Sequence, residues 1–214
     1  MFIYDPIYIS WRNHGHYPVK FYRVMSLQHY PLFPLSAHLL PGGNMALRIF
    51  EPRYIRMVKE VCANNSGFVV CMLDAQGDKN NNQHIHKIGT YAEVIDFELL
   101  EDGLLGIKVA GLSSVEVKDI TTESDGLRVG KCHTMKSWQC DIPAEQISPM
   151  VERLHEIFER YPELHSLYAQ PEFDNPYWVL MRWLELLPVD ARQKQYFLAQ
   201  QDCTALFNYL SALV

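Results

Sequence analysis

Two pairs of histidines are the side chains of this sequence that could most readily bind a metal ion. His14 and His16 form one pair, and His84 and His86 form the other. Metal sites in proteins combine imidazoles with further Cys, Asp or Glu ligands. The second pair lies in a polar, Asn-rich stretch, residues 74–87, which predicts an exposed, mobile loop. We therefore expect both pairs to be solvated, and we predict no metal ion and no cofactor.

Cysteine could supply a nucleophile. The chain has five cysteines, which are Cys62, Cys71, Cys132, Cys140 and Cys203. Their odd number and the lack of a C-x-x-C pair argue against a disulfide framework or a zinc site. Cys132 with His133 or His155 could form a nucleophile–base pair, which keeps a thiol enzyme open as an alternative. Because Cys132 lies in a predicted strand, we expect small buried thiols in a reducing compartment.

Three acidic side chains could support general acid–base catalysis. Glu98, Glu101 and Asp102 are close neighbours, but Asp102–Gly103 is also a strong hairpin signal between two alternating runs. A solvated turn is the simpler interpretation.

Composition narrows the classes of partner. The 214 residues carry a formal net charge of −6, with 48% hydrophobic and 21% charged residues. A globular protein of this charge is a poor match for nucleic acid, although a local strip of Arg48, Arg53, Arg56 and Lys59 keeps RNA binding open as an alternative. No apolar run approaches the ~20 residues of a membrane span, and no signal peptide is evident. We expect a cytoplasmic protein.

The elements that position these side chains divide the chain into two parts. In the first, residues 25–140, Met45, Leu47 and Ile49 alternate as in a half-buried strand, and Pro52 suits the first turn of a helix that ends near residue 63. Residues 68–73 predict a central strand. Asp102–Gly103 and Asp125–Gly126 predict two hairpins. The first part is therefore predicted to be a curled, mostly antiparallel sheet or barrel with one helix.

Residues 141–214 change character and predict a bundle of about four helices, which makes the fold class α+β. Apolar side chains recur at helical spacing from Ile147 to Tyr161, and residues 177–184 are apolar on most faces. Asp190 and Asp202 are predicted helix caps. The last helix is predicted to bury one stripe, formed by Leu206, Phe207, Leu210 and Leu213.

Three motifs in order along residues 28–214 carry a resemblance to a known family. The first is FPL followed by LLPGGNMALRIFEPRY, the second is GTYAEVI from residue 89, and the third is LPVDARQKQYFLAQQD from residue 187. Together they resemble the N-terminal, substrate-recognition domain of Lon proteases, which also occurs as a freestanding bacterial protein and in cereblon. The residues of the first two motifs that we single out are Phe33, Pro34, Leu35, Pro41, Gly42, Arg48, Phe50, Glu51, Pro52, Arg53, Tyr54, Gly89 and Glu93.

The resemblance implies a PUA-like pseudobarrel and a non-catalytic module that binds unfolded or regulatory polypeptide segments, with a protease as a further partner. A Lon protease also needs an ATPase phosphate loop, G-x-x-x-x-G-K-[ST], and a Ser–Lys dyad. The segment Gly42-Gly43-Asn44 lacks the Lys and Ser/Thr of that loop. We therefore expect no enzyme. An RNA-binding PUA-like protein and a scaffold for a folded partner remain alternatives.

The segment RIFEPRY allows two interpretations. Arg48, Glu51, Arg53 and Tyr54 could line a polypeptide-binding face. Alternatively, Glu51 caps the helix, Phe50 and Tyr54 pack, and Arg48 pairs with a carboxylate; we favour this structural role.

An aromatic and Met cluster in the second part also allows two interpretations. Its members are Phe173, Tyr177, Trp178, Met181 and Trp183. We expect core packing, with an apolar groove for unfolded chains as the alternative.

Residues 1–24 fit neither part, since they are rich in aromatic residues and have no clean periodicity. Either Met25 is the natural start and these residues extend the gene prediction, or they form an arm that packs on the domain or on a partner.

Overall fold

A computed structural model describes residues 28–213, which contain six strands and six helices. The strands are β1 (Gln28–Leu35), β2 (Asn44–Ile49), β3 (Phe68–Leu73), β4 (Ile85–Leu99), β5 (Leu105–Thr122) and β6 (Arg128–Thr134). The helices are α1 (Pro52–Ala63), α2 (Ala144–Arg160), α3 (Pro162–His165), α4 (Pro176–Leu186), α5 (Ala191–Leu198) and α6 (Thr204–Ser211). The α+β class predicted from the sequence is confirmed. The two interpretations of residues 1–24 lie outside the described residues.

The strands form one sheet in the order β2-β5-β4-β3-β1-β6, and β6 also pairs with β5. Strands β1 and β3 are parallel, and the other pairs are antiparallel. Both predicted hairpins are confirmed. Their glycines have positive φ, +80° at Gly103 and +85° at Gly126, a conformation that glycine adopts without steric cost. None of the helices in residues 28–213 is long and apolar enough to cross a membrane.

Apolar side chains pack against the sheet in separate clusters. Helix α1 covers one face with Met57, Val58 and Val61, which pack with Ile49 and Ile107 of β2 and β5. Helices α2 to α6 form a second apolar cluster together with residues from the β part of the chain, among them Leu40. The helical part and the sheet therefore pack against each other through buried apolar side chains.

Several boundaries and burials differ from the sequence predictions. The predicted loop 74–87 ends early, because β4 begins at Ile85 and both His84 and Ile85 are buried. The single turn of α3 follows α2 and has no counterpart among the sequence predictions. Helix α1 buries Tyr54, Met57, Val58 and Val61 and leaves Cys62 exposed, so the prediction of buried thiols is wrong for Cys62. Leu213 is also exposed.

Candidate functional site

The FPL motif lies in β1, in the middle of the sheet. Phe33 is buried between two aromatic rings, with centroid distances of 4.3 Å to Tyr54 and 5.8 Å to Phe68. Pro34 and Leu35 pair in parallel register with Cys71 and Met72 of β3. In this position the motif organises the core and leaves little side-chain surface for a partner.

The PGG motif forms a tight turn before β2. Pro41 is buried, and Gly42 has a φ of +76°. The Gly42 N–H donates to the carbonyl of Gly111 at 2.8 Å, and the indole of Trp178 donates to the carbonyl of Gly42 at 3.0 Å. The turn is thus fixed between β5 and helix α4.

A buried ion pair on α4 also forms hydrogen bonds with the backbone at this turn. Arg182 donates from Nη2 to the carbonyls of Leu40 and Pro41, at 3.2 and 3.0 Å. Its Nε lies 2.8 Å from Glu185 Oε2, and Glu185 Oε1 accepts from the Leu40 N–H at 2.6 Å. The side chain of Arg182 is 2% exposed and that of Glu185 14%. Burial raises the pKa of Glu185, against the opposing effect of Arg182.

Lys194 and His38 extend this polar cluster. The Lys194 ammonium is buried and donates to the backbone carbonyl of Glu185 at 2.8 Å. Its Nζ is 3.4 Å from His38 Nδ1. Burial, together with the charge of Lys194, lowers the pKa of His38 from 6.5 to about 4. His38 is therefore neutral at neutral pH.

The depressed pKa of His38 predicts a pH dependence of stability. In the unfolded chain His38 takes up a proton near its ordinary pKa of 6.5, whereas in the fold it does so only near pH about 4. The unfolded state binds more protons in this window, so the free energy of unfolding is expected to fall as pH drops from 6.5 towards about 4. The contribution of His38 is about 1–2 kcal/mol, after discounting for its partial exposure.

His38→Asn keeps a polar partner for Lys194 and removes the titration. In urea unfolding between pH 7 and pH 4, we expect this variant to lose less stability than the parent. His84 and His86 also have lowered pKa values, mainly through burial, so part of the slope should remain. Parallel pH curves for the variant and the parent would contradict the role of His38.

The RIFEPRY segment joins β2 to α1. Tyr54 is buried, as predicted, and Arg48 forms an exposed ion pair with Asp102. The predicted packing of Phe50 is wrong, because its side chain is 64% exposed. Pro52 occupies the first turn of α1.

Glu51 occupies the N-cap position of α1, as predicted, but it does not cap the helix through its side chain. The Glu51 side chain makes no capping hydrogen bond and pairs instead with Arg53, Oε2 to Nη2 at 2.5 Å. Arg53 lies over the ring of Tyr54, 4.7 Å from its centroid. The nearby Arg56 pairs with Glu60, Glu123 and Asp125. Three of the four basic residues of the strip, Arg48, Arg53 and Arg56, are paired with carboxylates, which reduces the positive charge that the strip offers to RNA.

The GTYAEVI motif lies in β4, in the centre of the sheet. Gly89 is buried opposite Cys71 and Val115. Thr90 is buried and donates its hydroxyl to the carbonyl of Leu39 at 2.7 Å. Glu93 is half-buried and accepts a hydrogen bond from the Tyr91 hydroxyl at 3.4 Å. Gly89 is therefore part of the core, whereas Glu93 lies where β4 leaves it.

The structure places Cys132, the thiol considered as a nucleophile, in a buried position of β6. Burial raises the pKa of Cys132 to about 12, which disfavours the thiolate that a nucleophile needs. His133, the next residue of the strand, is exposed. Within residues 28–213, no three His, Cys, Asp or Glu side chains are grouped closely enough to hold a metal ion.

The aromatic cluster of the second part belongs to the core. Trp178 and Met181 are buried, and Phe173, Tyr177 and Trp183 pack against them in the cluster shared by helices α2 to α6. This packing contradicts the alternative interpretation, an apolar groove at the cluster.

An exposed apolar surface occurs instead on the outer half of β4. Ile95, Phe97 and Leu99 are 52%, 72% and 80% exposed, larger fractions than such side chains usually show. Phe97 pairs with Ile107 and Leu99 with Leu105, so they share the sheet face on which β5 contributes to the core. We call these three residues the hairpin patch. The sequence contained a signal for the strand, the alternation of these residues, but none for their exposure.

Three comparisons with known proteins agree with this architecture. A model of the ATP-dependent protease La (LON) substrate-binding domain matches residues 29–214. The solved Lon N-terminal domain protein from Xanthomonas campestris is similar, with a TM-score of 0.67 and 26% identity, over 86% of this chain and 98% of that one. The N-terminal domain of the Mycobacterium avium complex Lon protease shares the fold, with a TM-score of 0.58 and 11% identity, over 86% and 96% of the two chains.

Curated relatives match over shorter stretches. The chain is 31% identical to the protein cereblon of Danio rerio over 110 residues, which cover 50% of this chain and 25% of cereblon. It is 27% identical to the Lon protease of Xanthomonas oryzae pv. oryzae over 139 residues, which cover 64% of this chain and 15% of that protease. The matched stretches thus span a quarter or less of these relatives.

Proposed function

Since the chain belongs to the ATP-dependent protease La (LON) substrate-binding domain family, we propose that it binds polypeptide segments of unfolded or regulatory proteins. The observation that carries this proposal is the hairpin patch, with three large apolar side chains exposed on one strand. Apolar surface of this kind gains free energy when a partner covers it, and the gain does not require a particular partner sequence.

The rest of the family prediction belongs to the same proposal. We interpret the pairing of β6 with β5 as the closure of a PUA-like pseudobarrel, with residues 25–140 as the β domain and 141–214 as the helical bundle. The match is to the substrate-binding domain, so ATP hydrolysis and proteolysis form no part of the proposed function. A binding module of this kind would act as an adaptor for a separate protease. Its free thiols favour a reducing compartment, so we place this role in the cytoplasm.

A double variant of the patch tests the proposal. We expect Phe97→Ser with Leu99→Ser to weaken binding of a labelled, permanently unfolded polypeptide at least tenfold, because about 1.5–3 kcal/mol per buried apolar side chain is at stake. Fluorescence anisotropy gives the affinity, and the folded form of the same polypeptide serves as the negative ligand. Circular dichroism checks that the variant remains folded.

The matched control removes exposed apolar side chains elsewhere. Tyr161→Ser with Leu213→Ser changes residues that are 46% and 58% exposed in the helical part, and this pair should leave the affinity within twofold of the parent. Equal losses in the two double variants would point to general surface hydrophobicity. No saturable binding by the parent would refute polypeptide recognition itself.

A further inference from the structure

The strand that carries the hairpin patch has an unpaired edge. Strand β3 pairs with β4 only as far as Ala92, opposite Phe68, whereas β5 accompanies β4 to Leu99. Within residues 28–213, no strand pairs with β4 beyond Ala92 on the side away from β5. An exposed edge of this kind is a template for a further strand, and many proteins block such edges.

Backbone hydrogen bonds indicate which groups point outward along this edge. Leu100 donates its N–H to the carbonyl of Leu104 at 2.9 Å, towards β5. Since successive residues of a strand direct their backbone groups to alternate sides, Glu98 also faces β5, and Phe97 and Leu99 face outward. The Phe97 N–H agrees, because it donates to the Asp96 carboxylate at 2.9 Å. The outward backbone groups thus belong to the residues with the most exposed apolar side chains.

The two faces of the edge differ in chemistry. Phe97 and Leu99 make one face apolar, whereas Asp96 and Glu98 make the other acidic. Neither acid takes part in any of the ion pairs found among residues 28–213. A strand laid against this edge would place alternate side chains beside the apolar residues and the intervening ones beside the carboxylates.

We propose that residues 95–99 bind an extended polypeptide by adding it to β4 as a further strand, and that the favoured ligand alternates apolar and basic residues. This inference rests on the proposed function and specifies its binding mode and ligand class. Backbone hydrogen bonds to Phe97 and Leu99 would supply affinity independent of sequence, while Phe97, Leu99 and Glu98 select the alternating pattern. The Asp96 carboxylate, which now bonds the Phe97 N–H, would yield that donor to the ligand.

Fluorescence anisotropy with a labelled heptapeptide that alternates lysine and leucine tests the binding mode. Two derivatives carry N-methyl groups, one on every leucine and the other on every lysine. In an added strand only one of these sets points its N–H groups at β4, so one derivative should lose more than tenfold in affinity while the other binds like the parent peptide. Similar affinities for both derivatives would overturn strand addition.

Charge exchange tests the ligand class. Glu98→Lys should weaken binding of the lysine–leucine peptide about fivefold at low salt, because one attractive charge pair is replaced by a repulsive one. The same variant should strengthen binding of a glutamate–leucine peptide, because there a repulsive pair is replaced by an attractive one. Glu145→Lys, at an exposed acid of α2 far from the patch in sequence, is the matched control and should leave both affinities unchanged. Equal effects of the two variants would overturn the assignment of Glu98.

The outcomes separate this inference from the proposed function. If the unfolded polypeptide binds and the Phe97/Leu99 double variant weakens it, but the two N-methylated peptides bind alike, the function stands and strand addition fails. If nothing binds, both fail. Sedimentation velocity of the free protein adds a third outcome: a dimer that the peptide dissociates would assign the edge to a second copy of the chain and overturn the proposal.

Discussion

Arg182→Met is expected to lower the free energy of unfolding by about 3–5 kcal/mol, the cost of leaving one partner of a buried ion pair alone. The Glu185 carboxylate would keep the hydrogen bond from the Leu40 N–H but lose the guanidinium with which it is directly paired. The carbonyls of Leu40 and Pro41 would lose the guanidinium donor at the same time. The length and apolar character of Met keep most of the packing against Trp178, so the loss would report charge and hydrogen bonding.

Chemical denaturation of the variant and the parent measures this effect, and Arg192→Met provides the control. Arg192 also pairs with a carboxylate, that of Asp74, but its side chain is 67% exposed. An exposed pair contributes about 0–1 kcal/mol, so the control should change stability little.

A double variant refines the interpretation of this ion pair. Arg182→Met with Glu185→Gln removes both charges and keeps an acceptor for the Leu40 N–H. It should cost less than the sum of the two single variants, because neither buried charge is left unpaired. A loss below about 1 kcal/mol for Arg182→Met alone would show that the ion pair does not hold the PGG turn.

The same ion pair shows where reasoning from sequence stops. The turn at residues 41–43 was predictable, because Pro fixes φ and Gly adopts positive φ without steric cost. The burial of helix α4 was predictable from its apolar faces. Arg182 and Glu185, three residues apart on that helix, are typical of an exposed pair, and their burial depends on carbonyls 141 and 142 residues away along the chain. Such a contact leaves no local signal.

The hairpin patch shows the limit of periodicity. The alternating run before Asp102–Gly103 predicted a strand, and Asp102–Gly103 predicted the turn after it. The structure contains both, as β4 and its hairpin. Periodicity identifies the face that carries apolar side chains, but whether another element covers that face is decided by tertiary packing. Helix α1 covers Ile49 and Ile107, and the outer half of β4 extends beyond that cover. The surface that supports the proposed function is therefore the one that sequence patterns assign to the core.

Gly89→Ala is expected to destabilise the protein by about 2–4 kcal/mol, through overpacking in the centre of the sheet. A Cβ at this position would lie 2.6 Å from Val69 Cγ1 and 2.8 Å from the carbonyl oxygen of Val70. Both distances are shorter than real Cβ contacts, and the backbone of β3 cannot move without disturbing its pairing with β1 and β4. A thermal or urea unfolding curve measures the loss.

Gly103→Ala separates this clash from the cost of backbone conformation. Gly103 has a positive φ of +80°, and a Cβ there would meet nothing within 4 Å, so its replacement should cost only the ~1 kcal/mol of a strained turn. If Gly89→Ala costs no more than this control, the central sheet can yield at β3. The overpacking assigned to the centre of the sheet would then be wrong.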